Sequence, residues 1–598
     1  LVPRYIRAIM RLFSISESQM SNYFRFLTGY EIKKLPHGDK LIGYNNIRMN
    51  VYIKIVDVCE NFIPEIKNDP WFPSLQKLIN NSASIATSIK FLAHYQMHLY
   101  LLSAKLCQQA NIKNSNENIL LIGPAYWPNE LYMIIKQDED FIGIDFYQLP
   151  KFFKARNKVS SLYKLTIVLI TAIFKQGITL KKIGKENFQV ASELFDPEKL
   201  GGSPFDVDFF VDNKTVTYSD SLFYVIAKNN RLLKNNGYGT KKLKQLSDKK
   251  KIPIIKLKNY PYNSKTIYNL LLWYIKVIAK FFVLKGSIVW NLMPYMLREH
   301  LNYLPLFLHF NLKHHIHFMT PNGRAPLSLN SGVSSDLCMT NKVHSNGIQN
   351  RIIDARQYEF CFDCYDTNFA WGQAWIDVLG TTSCFIDNQI ITGIFNLTEL
   401  EFKEAAIKSQ SKSKEFNVII FPTDVNINPS AFEGSFYPIS YTIDFLLSCI
   451  HLAKSNPQIN FYCKLKDESH LQLIKENIDF INSNAHEYKN FKFVQRSRTR
   501  YLDLLLNAHL AISIGFTSPG LDAILLNKKS IYYSQLKNAG IAFKQIPDFV
   551  VESKNDLISN FSNQMNVNST SDNTSVSLDT LDPFRDGLAI KKIIKHLS

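Results

Sequence analysis

Residues 515–522 read Gly-Phe-Thr-Ser-Pro-Gly-Leu-Asp, directly after an apolar run. These residue types at this spacing suit an anion site. Ser518 is expected as a helix N-cap with Pro519 at the first helical position, since a hydroxyl accepts from an open amide and proline has none to waste. Thr517 and Ser518 would then lie beside backbone N–H groups at the positive end of a helix, where phosphate is favoured. Gly515 and Gly520 permit close approach of the backbone to a phosphate. Asp522, expected in the first turn, is placed to accept hydrogen bonds from ribose hydroxyls. The rival reading is an ordinary helix start, which uses the same residues.

Other groups with chemical potential lie elsewhere. Arg496, Arg498 and Arg500 alternate after the apolar stretch 491–495 and would point one way if extended. A solvated basic loop is the bland reading. Glu193 follows an apolar run, and Asp206 and Asp208 bracket Val207 after a Gly-Gly-Ser-Pro turn. In a strand the two aspartates share a face, where like charges raise one pKa; otherwise they are turn residues facing water. His314, His315 and His317 stand together, with His315 and His317 on one face of a strand. They lack a placed carboxylate partner, so no metal is expected. Cys361 and Cys364 form a lone C-x-x-C among eight cysteines, without a second pair at zinc spacing. Buried thiols in a reducing compartment are expected.

The elements that must position these groups alternate. Residues 1–115 read helical, with apolar residues at helical intervals. From 116 to 408, apolar runs at 118–123, 141–146, 187–195, 205–212, 251–258, 314–320 and 358–364 alternate with helical stretches. The lysine-rich stretch 409–416 reads as a linker. Beyond it, runs near 417, 459, 491, 510 and 530 are each separated by a helix-length segment, over a domain of 417–560. A polar segment and a C-terminal helix close the chain at 561–598. This pattern predicts an α/β protein with two doubly wound, Rossmann-like domains facing across a cleft, preceded by helices. Ligands in such sheets sit outside the carboxyl ends of the strands.

The stretch from Asn417 to Ser534 resembles the donor domain of GT-B glycosyltransferases of bacterial capsule and surface-polysaccharide synthesis, including the Kdo-transferase-like ones. The residues carrying it are Thr517, Ser518, Asp522, Ala523, Leu525 and Leu526, then a turn at Asn527–Lys529 and the strand Ser530–Ser534. Trp371–Gly380 with the following IITGIF resembles the end of the first domain in the same group. Of the Lys-Pro-His-Pro-like turn usual after the second donor-domain strand, only Lys464 is matched. An aspartate, Asp522, stands where glutamate is more usual. The resemblance implies a metal-independent transferase moving a sugar from a nucleotide-activated donor to a glycan or lipid-linked glycan. The donor binds the second domain and the acceptor the first. The nucleotide sugar is substrate, and no cofactor is implied. Donor contacts fall to Gly515, Thr517, Ser518, Asp522, Lys464, Arg496 and Arg498. Glycosyl transfer needs a general base or a carboxylate nucleophile, for which Asp208, Asp206 and Glu193 are the candidates. A CMP-linked acidic sugar would suit the arginines. A nucleotide-sugar epimerase and a non-catalytic glycan-binding protein are the alternatives.

The whole composition agrees with anionic partners. The 598 residues carry a formal net charge of +18 and are 46% hydrophobic, which excludes a disordered chain. No zinc-finger, RRM or helix-turn-helix signature supports nucleic-acid binding. No secretory signal and no uncharged apolar run of about 18 residues is read. The nearest candidate, Ile267–Trp290, is interrupted by Lys276, Lys280 and Lys285 and reads as an amphipathic helix with a basic side. It is either a domain helix or a helix lying on an anionic membrane surface. A cytoplasmic protein held peripherally at the inner membrane face is therefore expected.

Overall fold

The computed structural model describes residues 63–90, 119–122, 144–147, 151–181, 183–193, 221–225, 244–245, 247–248, 253–318, 330–349, 363–382, 384–410, 416–422, 439–465, 483, 488–494, 501–515, 517–534, 546, 549–566 and 575–597. They divide into two compact units. Described residues within 53–96, 122–396 and 581–598 form the first, and those within 397–580, together with 119–121, form the second.

The first unit holds a seven-stranded sheet. Its strands are β1 (Glu186–Glu193), β2 (Ser221–Val225), β3 (Ile254–Lys256), β4 (Phe310–Phe318), β5 (His344–Ile348), β6 (Cys364–Ala370) and β7 (Phe385–Ile391). The second unit holds β8 (Phe416–Phe421), β9 (Ile459–Lys464), β10 (Phe491–Val494), β11 (Leu510–Ile514), β12 (Lys529–Tyr533) and β13 (Val550–Val551). The spatial orders are β3-β2-β1-β4-β5-β6-β7 and β10-β9-β8-β11-β12-β13. Every pairing within both sheets is parallel. Both are doubly wound α/β sheets, as the alternation of strand and helix predicts. In each the order reverses once, between β1 and β4 and between β8 and β11.

Burial explains the composition of the central strands. A parallel sheet is covered on both faces, so its strands read as unbroken apolar runs. All five residues of β11 and the last four of β8 are buried. One side of the second sheet packs Val418, Ile420, Phe461, Ile512 and Tyr533 against Phe445, Cys449 and Leu557 of the flanking helices.

Several expectations shift. The strand placed at 358–364 lies instead at Cys364–Ala370, and its earlier residues fall outside the described ones. β2, β5 and the short β13 were not anticipated. The amphipathic segment at 267–290 is two helices, 264–281 and 288–309. Ser287 breaks it by accepting from the Trp290 amide at 3.1 Å, capping the second helix. Trp290 is fully buried. Asp206 and Asp208 lie outside the described residues, as do Arg496, Arg498 and Arg500. Within the N-terminal region, 63–68, 72–76 and 82–90 are helical, and the remainder of 1–115 apart from 63–90 lies outside the described residues. This helical piece packs on the first unit, through stacking of Trp71 and Trp290 and a bond from Trp71 Nε1 to the Lys285 carbonyl at 2.7 Å.

The division between units falls at 396/397 rather than at the polar stretch 409–416, so helix 399–410 belongs with the second unit. The chain also returns at its end to the first unit, which the sequence pattern did not reveal. Trp375 Nε1 donates to the Leu581 carbonyl at 3.0 Å, and Gln189 Nε2 donates to the Leu597 carbonyl at 2.8 Å. Asp582 is the anchor of this return. Its carboxylate accepts from the amides of Ile394 (3.0 Å), Phe584 (3.0 Å) and Arg585 (3.1 Å), and it is 2% exposed.

Removing that acceptor strands three amides. Asp582→Ala is expected to destabilise the first unit by about 2–4 kcal/mol. All six tryptophans fall within that unit's sequence ranges. The urea midpoint of tryptophan fluorescence therefore reads this change directly, and an unmoved midpoint would refute the anchoring role.

Candidate functional site

The turn after β11 lies at the reversal point of the second sheet. Gly515 follows the last residue of β11 with φ +54°, a conformation that favours glycine, and its amide donates to the Tyr533 carbonyl at 2.9 Å. Thr517, not Ser518, is the N-cap of helix 518–525, so Pro519 is the second helical residue and Asp522 lies in the second turn. The chain reaches helical geometry one residue earlier than the serine-cap pattern suggests, because Thr517 keeps the extended backbone (φ −101°, ψ 133°). The Thr517 side chain makes no capping bond, and its Oγ1 is buried without a hydrogen-bond partner among the described residues. Its carbonyl accepts from the Tyr532 hydroxyl at 3.0 Å.

Gly520 serves packing. A Cβ there would stand 2.6 Å from Tyr532 Cζ and 2.7 Å from Ser513 Oγ, so only glycine lets the helix start this close to β11 and β12. Asp522, anticipated as a ribose contact, is fully buried, and its Oδ2 accepts from the Tyr501 hydroxyl at 2.9 Å. Burial raises its pKa to about 7; the Tyr501 bond opposes this and the charge of Glu401 adds to it. Its Oδ1, like Ser513 Oγ and Ser534 Oγ, has no partner among the described residues. Buried polar atoms are nearly always satisfied. Four of the buried oxygens without a partner among the described residues gather here, on the end of β11, the adjoining turn, the second turn of the helix and the residue after β12. Lys464 ends β9, in register with Val494, and is largely buried.

In the first unit, Glu193 ends β1 at the corresponding reversal. It is buried, paired in register with Tyr224 of β2, and its Oε2 accepts from the Tyr303 hydroxyl at 3.1 Å. Burial pushes its pKa to about 8, with the Tyr303 bond lowering it and Glu299 raising it. Beside it on β4, His315 Nε2 lies 2.6 Å from the Tyr224 hydroxyl, and the His315 and His317 rings are 4.2 Å apart. The two histidines share one strand face, as their spacing predicts. His317 Nε2 lies 2.9 Å from Ser334 Oγ. Desolvation lowers both histidine pKa values, that of His317 to about 3, so both are neutral. Among the described residues no group of three metal-binding side chains converges. Tyr224, Tyr303 and Tyr501 escaped sequence reasoning. The available signal was a tyrosine at the end of a strand or within a helix facing it, which the sequence does not separate from core aromatics.

Two doubly wound units with buried acids at their reversal points thus define the class of molecule. Residues 365–560, about a third of the chain, match the family model described as "Polysaccharide biosynthesis PFTS motif protein". No curated protein matches the sequence. Among solved structures, the chain is similar to UDP-GlcNAc 2-epimerase from Neisseria meningitidis bound to UDP-GlcNAc. That likeness has 13% identity and a TM-score of 0.38, covering 69% of this chain and 99% of that one. It is similar also to MurG of Acinetobacter baumannii, with 8% identity, 69% and 99% coverage and a TM-score of 0.37. A glycosyltransferase from Rickettsia africae gives 12% identity, 69% and 98% coverage and a TM-score of 0.35. Likenesses this distant carry no weight in assigning a function.

The raised pKa of Glu193 has a sign that can be checked. A carboxyl whose folded pKa lies above its unfolded value stabilises the fold below the unfolded value, and that stability is lost as pH rises through the folded one. Between pH 4.5 and about 8, the wild type should lose stability relative to Glu193→Gln, by on the order of a few kcal/mol. Urea midpoints followed by tryptophan fluorescence at several pH values test this, and parallel profiles for the two proteins would count against a buried acid.

Proposed function

We propose that the protein is a GT-B glycosyltransferase acting in polysaccharide biosynthesis, with a nucleotide-activated sugar bound at the carboxyl end of β11. The observation that carries this reading is the set of buried oxygens around that strand end that have no partner among the described residues: Ser513 Oγ, Thr517 Oγ1, Asp522 Oδ1 and Ser534 Oγ. They lie at the one reversal of strand order in the second sheet, where such sheets take their ligands. The start of helix 518–525 lends partial positive charge to a phosphate there. The match of residues 365–560 to a polysaccharide-biosynthesis family covers this whole site. In the first unit, Glu193 is the candidate general base or nucleophile. Burial raises its pKa to about 8, so it holds its proton at neutral pH and can act as a base only once ionised. The donor class extends to CMP-linked acidic sugars such as Kdo, whose charge would suit the arginines that the sequence carries at 496, 498 and 500.

A thermal-shift screen of CMP, UDP, GDP and their sugars tests the site. One nucleotide should raise the melting temperature, and Thr517→Ala/Ser518→Ala should weaken its binding about tenfold, or ~1.4 kcal/mol, without changing the unliganded melting temperature. No shift with any nucleotide would sink the reading. A bound sugar that is epimerised rather than transferred would move the protein to another enzyme class.

A further inference from the structure

Two helices of the first unit leave a broad apolar surface uncovered. Helix 151–176 exposes Val159, Tyr163, Ile167, Ile170 and Phe174, the last at 83%. At about 100° per residue these fall within an arc of ~80°. Its opposite side buries Leu165 and Leu169, and Ser161 Oγ bonds Asn291 Oδ1 at 2.6 Å. Helix 264–281 repeats the arrangement, with Tyr268, Leu271, Leu272 and Ile275 exposed and Ile267, Leu270, Trp273 and Val277 buried.

The two helices run antiparallel side by side. Lys158 Nζ bonds the Phe281 carbonyl, Thr166 Oγ1 lies 2.5 Å from the Tyr274 hydroxyl, and Ile178–Thr179 pairs with Tyr262–Asn263. As one index rises along the first helix, the other falls along the second. Phe282 and Val283, at 78% and 82% exposure, extend the surface beyond one end, and Leu180, at 89%, beyond the other.

Charge identifies the occupant. Residues 151–185 and 264–287 together carry thirteen lysines and arginines and no aspartate or glutamate. Lys164, Lys175, Lys265 and Lys276 are exposed beside the apolar arcs. A second copy of this face would bring like charges together, whereas an anionic bilayer surface satisfies both features at once. Helix 158–176 is long and apolar enough to cross a membrane. One side of it is nevertheless packed on the helix that begins at Ile288, where Ser161 bonds Asn291, an arrangement suited to lying along an interface.

We infer that this helix pair is a membrane-docking hairpin, its apolar arcs sunk among the acyl chains of an anionic leaflet and its lysines at headgroup level. The inference is independent of the nucleotide site and fails separately from it. Flotation with phosphatidylcholine vesicles, with and without about a third phosphatidylglycerol, tests it in the full chain. The wild type should float with the anionic vesicles. A Tyr163→Ser/Phe174→Ser/Ile275→Ser variant should lose about tenfold or more of that binding. The substituted side chains are all more than half exposed, so melting temperature and nucleotide response should not change. Absence of flotation, or equal flotation of the triple variant, overturns the inference. So does a concentration-dependent dimer of the wild type that the same substitutions abolish.

Discussion

A parallel sheet covered on both faces offers water and ligands only its strand ends, and most of those are closed by the crossovers that leave them. The exception is the point where strand order reverses, because the chain departs in opposite directions from two neighbouring strands. That constraint organises both units of this protein. In the second sheet the reversal lies between β8 and β11, and the glycine turn, the unfilled Thr517 cap and the start of helix 518–525 stand there. In the first it lies between β1 and β4, and Glu193 ends β1 at that point.

Both ends use the same device to hold an acid out of water. Glu193 is met by Tyr303 and Asp522 by Tyr501, and in each case desolvation outweighs the hydrogen bond. A phenol is a weak enough partner to leave the acid's proton in play near neutral pH, where a lysine or arginine would strip it. Next to Glu193, Tyr224 meets a histidine, and both histidines of the strand face are kept neutral. Such groups are expensive to bury, and their concentration at strand ends favours a working site over a structural one.

The first unit gathers three separated stretches of chain, and the last of them is held by the Asp582 carboxylate together with bonds from Trp375 and Gln189. Because the final helix packs against β1 and β6, the strand that ends in Glu193 depends on residues four hundred positions away. The exposed helix pair belongs to the same unit, so a surface suited to lipid and a buried acid share one folded body.

Much of this was legible in the sequence. Unbroken apolar runs alternating with amphipathic stretches are forced by two-sided burial, so two doubly wound sheets follow from pattern alone. The His315–His317 face follows from the two-residue period of a strand. Gly515 and the helix start after it follow from turn chemistry. Other features waited for the tertiary structure. Whether Asp522 meets solvent or Tyr501, and whether Gly520 admits a phosphate or Tyr532, depends on atoms brought close from distant elements. So does the assignment of Thr517 rather than Ser518 to the cap. The return of the C-terminal helix left no local mark, because a short amphipathic helix reads alike whichever core it covers. Periodicity states which side of an element is apolar, and only the folded chain states what, if anything, lies against it.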